Sequence, residues 1–197
     1  LNYLAHAFLS FGYPELLVGN MISDFVKGRK KDDYPYKIKQ GIVLHRAIDQ
    51  FTDDHPVTRL AKTYFKPAVG LYSGAFVDVA YDHFLANDPA QFQEPLLAKF
   101  ALHTYDTLEQ FEHLVPPTFR LMLPYMRQQN WLFNYRTVDG LESSFAGVAR
   151  RARYLETSRH VFYLFKEHYD ALQKCYIDFF PSLKDFTVQQ LKDWNIH

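Results

Sequence analysis

Two short stretches carry acid and imidazole side chains at the spacing of one helical turn. In GIVLHRAIDQFTD, His45 and Asp49 stand four residues apart among Ile42, Leu44 and Ile48; in VDVAYDHFLA, Asp78 and Asp82 do the same among apolar neighbours. Residues at i and i+4 share a helix face, and two carboxylates so placed repel by roughly a few tenths of a kcal/mol. A divalent cation answers that repulsion, because its charge offsets the carboxylates while a neutral imidazole helps to fill the ligand shell. Asp24, in GNMISDFVKG, can close such a site from a third segment. His6, Asp53, Asp54, His55 and His83 add to the metal-competent side chains gathered in this part of the chain. Mixed His and Asp ligation suits manganese, iron or zinc better than a calcium cage. An ion of that kind lowers the pKa of bound water and polarises a phosphoryl oxygen, so hydrolysis of a phosphate ester is the chemistry these residues favour.

Each element also has an ordinary reading. Taken alone, His45 with Asp49 is more often a helix-surface pair, and Asp78 with Asp82 can be two solvated carboxylates. Asp53 and Asp54 before His55 and Pro56 read as turn and cap chemistry, Ser73 as a helix cap, and His103, His113, His160 and His168 as structural or surface histidines. The metal reading rests on several pairs recurring together. Other site classes lack their signatures: the chain has no glycine-rich phosphate loop, no HExxH and no G-x-S-x-G elbow. Two basic clusters remain, Lys27, Arg29, Lys30 and Lys31, and then Arg150, Arg151 and Arg153. They are either a solvated loop and a helix end complementing its dipole, or landing sites for an acidic surface or a phosphate. Lys27 and Arg46, each beside a metal segment, are the candidate phosphate clamps.

Helices must position these groups. Apolar residues recur at helical spacing along most of the chain, which predicts helices over Tyr13–Val26, Tyr36–Thr52, Thr58–Phe65, Tyr72–Leu85, Gln93–Phe111, Pro117–Asn130, Thr137–Arg153, Ser158–Phe179 and Thr187–Asn195. The stripe Phe162, Phe165, Tyr169, Leu172, Tyr176 and Phe179 reads as the core face of one long helix. Breaks fall at KGRKKDDYP, TDDHP, ANDPAQ, LVPP and FFPS, where turn formers cluster. No segment alternates like a half-buried strand, so the expected class is all-α, a helical bundle in a single domain over residues 1–197.

Composition narrows the function further. A chain of 197 residues, 48% hydrophobic, can bury one large core. Lys plus Arg equals Asp plus Glu at 22 each, which removes the broad positive field of a nucleic-acid binder. A single cysteine, Cys175, forms no intrachain disulfide and points to a reducing compartment. The opening LNYLAHAFLSFGYPELLVGN has neither a basic leader nor a long unbroken apolar run, so a cytoplasmic protein without a membrane span is expected.

Set in order, NYLAHAFLS, GNMISDFVKG, GIVLHRAIDQFTDDHP and VDVAYDHFLA resemble the acyl carrier protein phosphodiesterase family. A weaker likeness continues through NWLFNYRTVDGLESSFAGVARRARYL and EHYDAL. The resemblance implies an HD-domain-like helical protein related to the HD-type metal phosphohydrolases. Such a protein uses a divalent metal, typically manganese with magnesium, iron or zinc as alternatives, to cleave the phosphodiester that joins 4'-phosphopantetheine to a serine of holo acyl carrier protein. It maps Asp24, His45 and Asp78 to metal ligands, with Asp49 and Asp82 as further or supporting ligands. His6 and His83 take histidine positions that ligate metal or move a proton, and the basic clusters meet an acidic carrier protein. The chain departs from the family pattern in having no contiguous His-Asp doublet, in Ala47 after the HR pair, and in Leu71 where a basic residue is expected. The departures keep two alternatives in view: a phosphohydrolase acting on a nucleotide or other small phosphodiester, and a helical module that binds carrier protein without turnover.

Overall fold

A computed structural model describes residues 1–151 and 158–196 of the chain. Eleven α-helices and no strand occur among the described residues, in agreement with the all-α expectation. They are α1 (Tyr3–Phe8), α2 (Pro14–Ile22), α3 (Tyr36–Asp54), α4 (Pro56–Val69), α5 (Ser73–Ala86), α6 (Leu96–Gln110), α7 (Pro117–Gln128), α8 (Trp131–Asn134), α9 (Val138–Arg151), α10 (Ser158–Glu167) and α11 (Tyr169–Asp193). No helix among the described residues is long and apolar enough to cross a membrane.

The crossing of α2 and α3 sets the geometry of everything that follows. Gly19 and Gly41 face each other where the two helices meet, and a Cβ on either would collide with the main chain of its neighbour. Close approach of two backbones is a use of glycine that no other residue can supply. It brings the main-chain oxygen of Asn20, on α2, within 2.8 Å of the His45 ring on α3. Ser23 adds a hydrogen bond from its hydroxyl to the Ile42 carbonyl at 3.3 Å. After α2 the chain tightens into a 3-10 turn, Ser23–Phe25, so Asp24 sits on that turn instead of on the helix expected through Val26.

α1 escaped the periodicity because six residues are too few to show it, and such a helix is marginal without outside help. Help comes from two acceptors. The Asn2 side chain accepts from the Tyr3 N–H at 3.0 Å. The buried Asp82 carboxylate, on α5, accepts from the main-chain N–H of Asn2, Leu4 and Ala5 at 3.3, 2.7 and 3.2 Å. Three of the orphan donors that open any helix are thus satisfied from a remote part of the chain.

The C-terminal half departs from expectation in two ways. The helix expected over Ser158–Phe179 divides at His168, whose backbone leaves the helical region, while α11 continues through Pro181 as far as Asp193. Pro181 is exposed, and the buried face passes beneath it through Phe179, Leu183, Thr187 and Leu191, so burial of that stripe outweighs the local cost of proline. The six apolar residues assigned to one helix are packed inward as foreseen, but from two helices. Ser73 does not cap α5: it is the helix's first residue, and no side-chain cap bond precedes it. Arg153, of the second basic cluster, lies outside the described residues.

Candidate metal centre

His6, His45 and Asp49 each present a ligand atom within 4.8 Å of the other two. His6 comes from α1, and His45 and Asp49 from successive turns of α3. The Asp49 carboxylate bridges the Nε2 edges of the two rings, with Oδ1 3.2 Å from His6 Nε2 and Oδ2 3.1 Å from His45 Nε2. Asp24, on its 3-10 turn, approaches the same His45 Nε2 at 3.3 Å. Asp78 reaches the centre's edge, sharing the Leu1 nitrogen with Asp49 at 3.1 and 3.3 Å.

Asn20 fixes the tautomer of both rings. Its Nδ2 donates to the His6 carbonyl at 2.8 Å and to Ser10 Oγ at 3.1 Å, which settles the amide's orientation and leaves Oδ1 to accept from His6 Nδ1 at 2.8 Å. His45 Nδ1 faces the Asn20 main-chain oxygen, which can only accept. Each Nδ1 therefore carries a hydrogen, so the Nε2 of a neutral ring presents a lone pair toward carboxylate oxygen and any further proton must sit on Nε2. Both Nε2 atoms are buried without a hydrogen-bond partner among the described residues. Orientation of an imidazole through its far nitrogen is the arrangement found behind metal-ligating histidines. Nothing at the level of pattern marked Asn20, except that it is a polar residue within the apolar run LLVGNMI.

Electrostatics follow from the same contacts. Burial drives the His6 ring down to about 4, and the neighbouring His45 cation pushes the same way. Burial also opposes charge on His45, but Asp24 and Asp49 win and hold it up at about 9. His45 in turn keeps the Asp24 carboxyl below its ordinary value. Burial works against ionised Asp49, yet the Leu1 nitrogen and the protonated His45 ring hold it well below the usual carboxylate range. Without a metal ion, the stacked pair holds one proton beyond the two on Nδ1, and it sits on His45 Nε2. A cation takes that place if the proton leaves.

The remaining candidates lie elsewhere. Asp82 serves α1's amides, as described, and burial lifts its carboxyl to about 7 against the pull of those N–H groups. His83 points away from the centre: its Nδ1 is 2.7 Å from the Tyr135 carbonyl, and its ring packs among Phe84, Phe165 and Tyr169. Arg46 donates from Nη2 to the Val26 carbonyl at 2.7 Å, which ties α3 to the end of the turn bearing Asp24. Lys27 is exposed. His55 accepts from the Val57 N–H and so caps α4, a role expected of Asp53 and Asp54, which instead end α3 and pair with Lys62 and Arg59. Leu71 is fully exposed on the rim of a cleft lined by Arg59, Lys62, Lys66 and Asp78, so positive charge is present there without it.

Two residues went unnoticed in the sequence. Tyr3 stands one turn before His6; burial raises its hydroxyl to about 12, with the Arg151 guanidinium pulling down and Asp24 pushing up. Arg151, part of the second basic cluster, stands on the last turn of α9.

A family model described as acyl carrier protein phosphodiesterase matches residues 1–183. The acyl carrier protein phosphodiesterase of Enterobacter sp. (strain 638) is 32% identical over 184 residues, covering 93% of this chain and 95% of that protein. The protein of that name from Escherichia coli O45:K1 (strain S88 / ExPEC) is 31% identical over 186 residues, 94% of this chain and 96% of its own. A third, from Salmonella dublin, is 31% identical over 184 residues, 93% and 95%. No solved structure gives a significant match. With the family pattern extending across nearly the whole chain, the chain belongs to the acyl carrier protein phosphodiesterase family.

Proposed function

We propose that the chain hydrolyses holo acyl carrier protein to the apo protein and 4'-phosphopantetheine, at a divalent metal centre held by His6, His45 and Asp49 with Asp24 and Asp78 at its margin. The names of its relatives support the substrate. One observation carries the centre: two buried Nε2 atoms, without a hydrogen-bond partner among the described residues, face the Asp49 carboxylate. A lone pair against a carboxylate is unfavourable unless positive charge lies between them. His45 can meet that need with a proton, but neutral His6 cannot, and a bound cation satisfies both at once.

A divalent ion held there polarises a phosphoryl oxygen and acidifies water, and two imidazoles with carboxylates suit manganese, iron or zinc. In the reaction, the bond between phosphorus and the serine oxygen breaks, the oxygen of water ends on the phosphate, and the serine recovers a proton. Arg46 fixes the turn that carries Asp24. Lys27, Arg29 and Lys30, all exposed, offer the acidic carrier protein a landing surface beside that turn. The whole chain acts as one domain in this reading, supported by a buried cluster that runs from Leu4 to Leu191, and kinship with HD-type hydrolases is compatible with the all-helical fold. Cys175 is an unpaired thiol, which fits work in the cytoplasm.

The test is incubation with holo acyl carrier protein and manganese, following loss of the prosthetic group by mass, with metal content measured in wild type and His45→Gln. Loss of the group in wild type, and loss of both metal and turnover in the variant, are expected. Intact holo protein alongside cleavage of a generic diester would move the substrate, and a His45→Gln protein that keeps metal and turnover would remove the centre.

A further inference from the structure

A cavity of about 870 Å³ opens between the start of α1 and the surface formed by α7, α8 and α9. Tyr3, Met122 and Trp131 form an apolar and aromatic wall, with Tyr3 and Trp131 ring centroids 6.2 Å apart and the Tyr3 hydroxyl 3.8 Å from Met122 Sδ. Asn134, Ser143 and Ser144 supply amide and hydroxyl groups, while Arg150 and Arg151 stand on the last turn of α9. The volume is within the range of a small-molecule site, and the mixture of aromatic walls with a few polar groups is the usual lining of one.

Its position ties it to the metal centre. Tyr3 lies one turn before His6 on α1, so the two side chains share a helix face. Arg151, at the end of α9, lines the same cavity as Tyr3. Phe25, next to Asp24, packs edge-on against Phe119 of α7 at 5.5 Å, which joins the turn of the centre to the helix that gives the cavity Met122. The other cleft near the centre, about 550 Å³ around Asp78, is walled by Arg59, Lys62 and Lys66 without an aromatic side chain. It suits charge, whereas the larger cavity suits an uncharged chain of amides and methylenes with an anion at one end.

We propose that this cavity seats the pantetheine arm of the substrate, its phosphate at the Tyr3 end between Arg151 and the metal centre and its amides along α9. The inference rests on the phosphodiesterase reading for the arm's identity, but it concerns a different part of the molecule. In this role Tyr3 and Arg151 are positioning residues, which hold the phosphate end while the centre acts on it.

Gly147 gives the test. It lines the cavity on α9, and a Cβ there meets nothing nearer than the flexible Arg150 Nη2 at 3.9 Å, so a larger side chain enters the cavity without disturbing the backbone. In a Trp194→Phe background, Trp131 is the sole tryptophan, and its emission should change saturably with metal-free, unphosphorylated pantetheine. Adding Gly147→Leu should weaken that binding at least tenfold. In turnover, the ratio of kcat/KM for holo acyl carrier protein to that for bis(p-nitrophenyl) phosphate should fall at least tenfold in Gly147→Leu, and fall likewise in Ser143→Phe, where the altered residue is exposed and folding is spared. No saturable change in Trp131 emission, or an unchanged ratio in both variants, would overturn the assignment. A wild type that cleaves neither substrate would defeat the hydrolase reading, while the fluorescence titration would still decide the cavity.

Discussion

The rings of His6 and His45 lie face to face, centroids 3.8 Å apart and 14° from parallel, and both direct Nδ1 to oxygens of the single residue Asn20. One comes from the side-chain amide and the other from the main chain, so α1 and α3 are keyed to α2 at one point. Two cationic imidazoles could not stack at this distance, and their environments separate them into a neutral ring and a protonated one. The stack is thus prepared for exchange of one proton for a metal ion.

Asn20→Ala should therefore weaken metal binding without touching a ligand. The change removes the acceptor for His6 Nδ1 and the donor for the His6 carbonyl and Ser10, all buried, while the main-chain oxygen still holds His45. Loss of such an orienting partner typically costs about 10–100-fold in metal affinity. Groups left unsatisfied in the interior should cost about 2–4 kcal/mol of stability. Manganese titration of the folded variant, beside its denaturant midpoint, checks both; an unaltered affinity would mean that His6 is not a ligand.

Asp82 makes the opposite case, a carboxylate whose effect is on folding. Asp82→Ala should strip three acceptor contacts from the first turn of α1 and destabilise the protein by about 2–3 kcal/mol. Amide exchange at Leu4 and Ala5 should accelerate before exchange elsewhere in the core. Were Asp82 a metal ligand, the variant would lose metal with those amides still protected.

These two residues also mark how far the sequence could be read. The His45 and Asp49 pair was visible because its partners are four residues apart on one helix, and helical spacing reports that directly. Asp78 and Asp82 share a face as expected, yet spacing could not say that one would reach the edge of the centre and the other the amides of α1. Main-chain donors carry no residue type to read. The link between Asp82 and α1 spans 78 residues in sequence and exists only after folding. Asn20 was hidden for a similar reason, since it acts partly through its backbone oxygen and depends on the Gly19 and Gly41 crossing. Pro181 misled because its helix-breaking tendency was weighed without the buried stripe that carries α11 past it. The break at His168 was missed because the apolar period continues across it.

His83 should betray itself by its pH dependence. Burial lowers its pKa, with the bond to the Tyr135 carbonyl acting the other way, so the folded protein holds this ring neutral more firmly than the unfolded chain does. Because the unfolded state binds the extra proton, His83's contribution to stability is present above the ordinary histidine pKa of about 6.5 and is lost as pH falls below it. Burial raises Asp82 and gives it a slope of opposite sign as pH climbs toward 7, so the comparison must be with His83→Gln, which cancels terms common to both proteins. The difference in unfolding free energy between wild type and His83→Gln should shrink on acidification below pH 6.5. A difference that grows instead would mean the ring is charged in the fold.

Metal removal sorts the remaining ligands by their distance from the stack. Manganese that binds only the folded protein stabilises it by about 2.7 kcal/mol at a hundredfold excess over Kd, and chelation should reverse the gain. In His45→Gln and Asp49→Asn the thermal shift on adding manganese should vanish, since each removes one of the three groups whose ligand atoms converge within 4.8 Å. Asp24→Asn and Asp78→Asn should keep a smaller shift, because Asp24 meets only His45 and Asp78 joins the cluster only through the Leu1 nitrogen. Differential scanning calorimetry with and without the ion gives the order. A full shift in Asp49→Asn together with none in Asp78→Asn would move the centre toward α5, which carries Asp78 and Asp82.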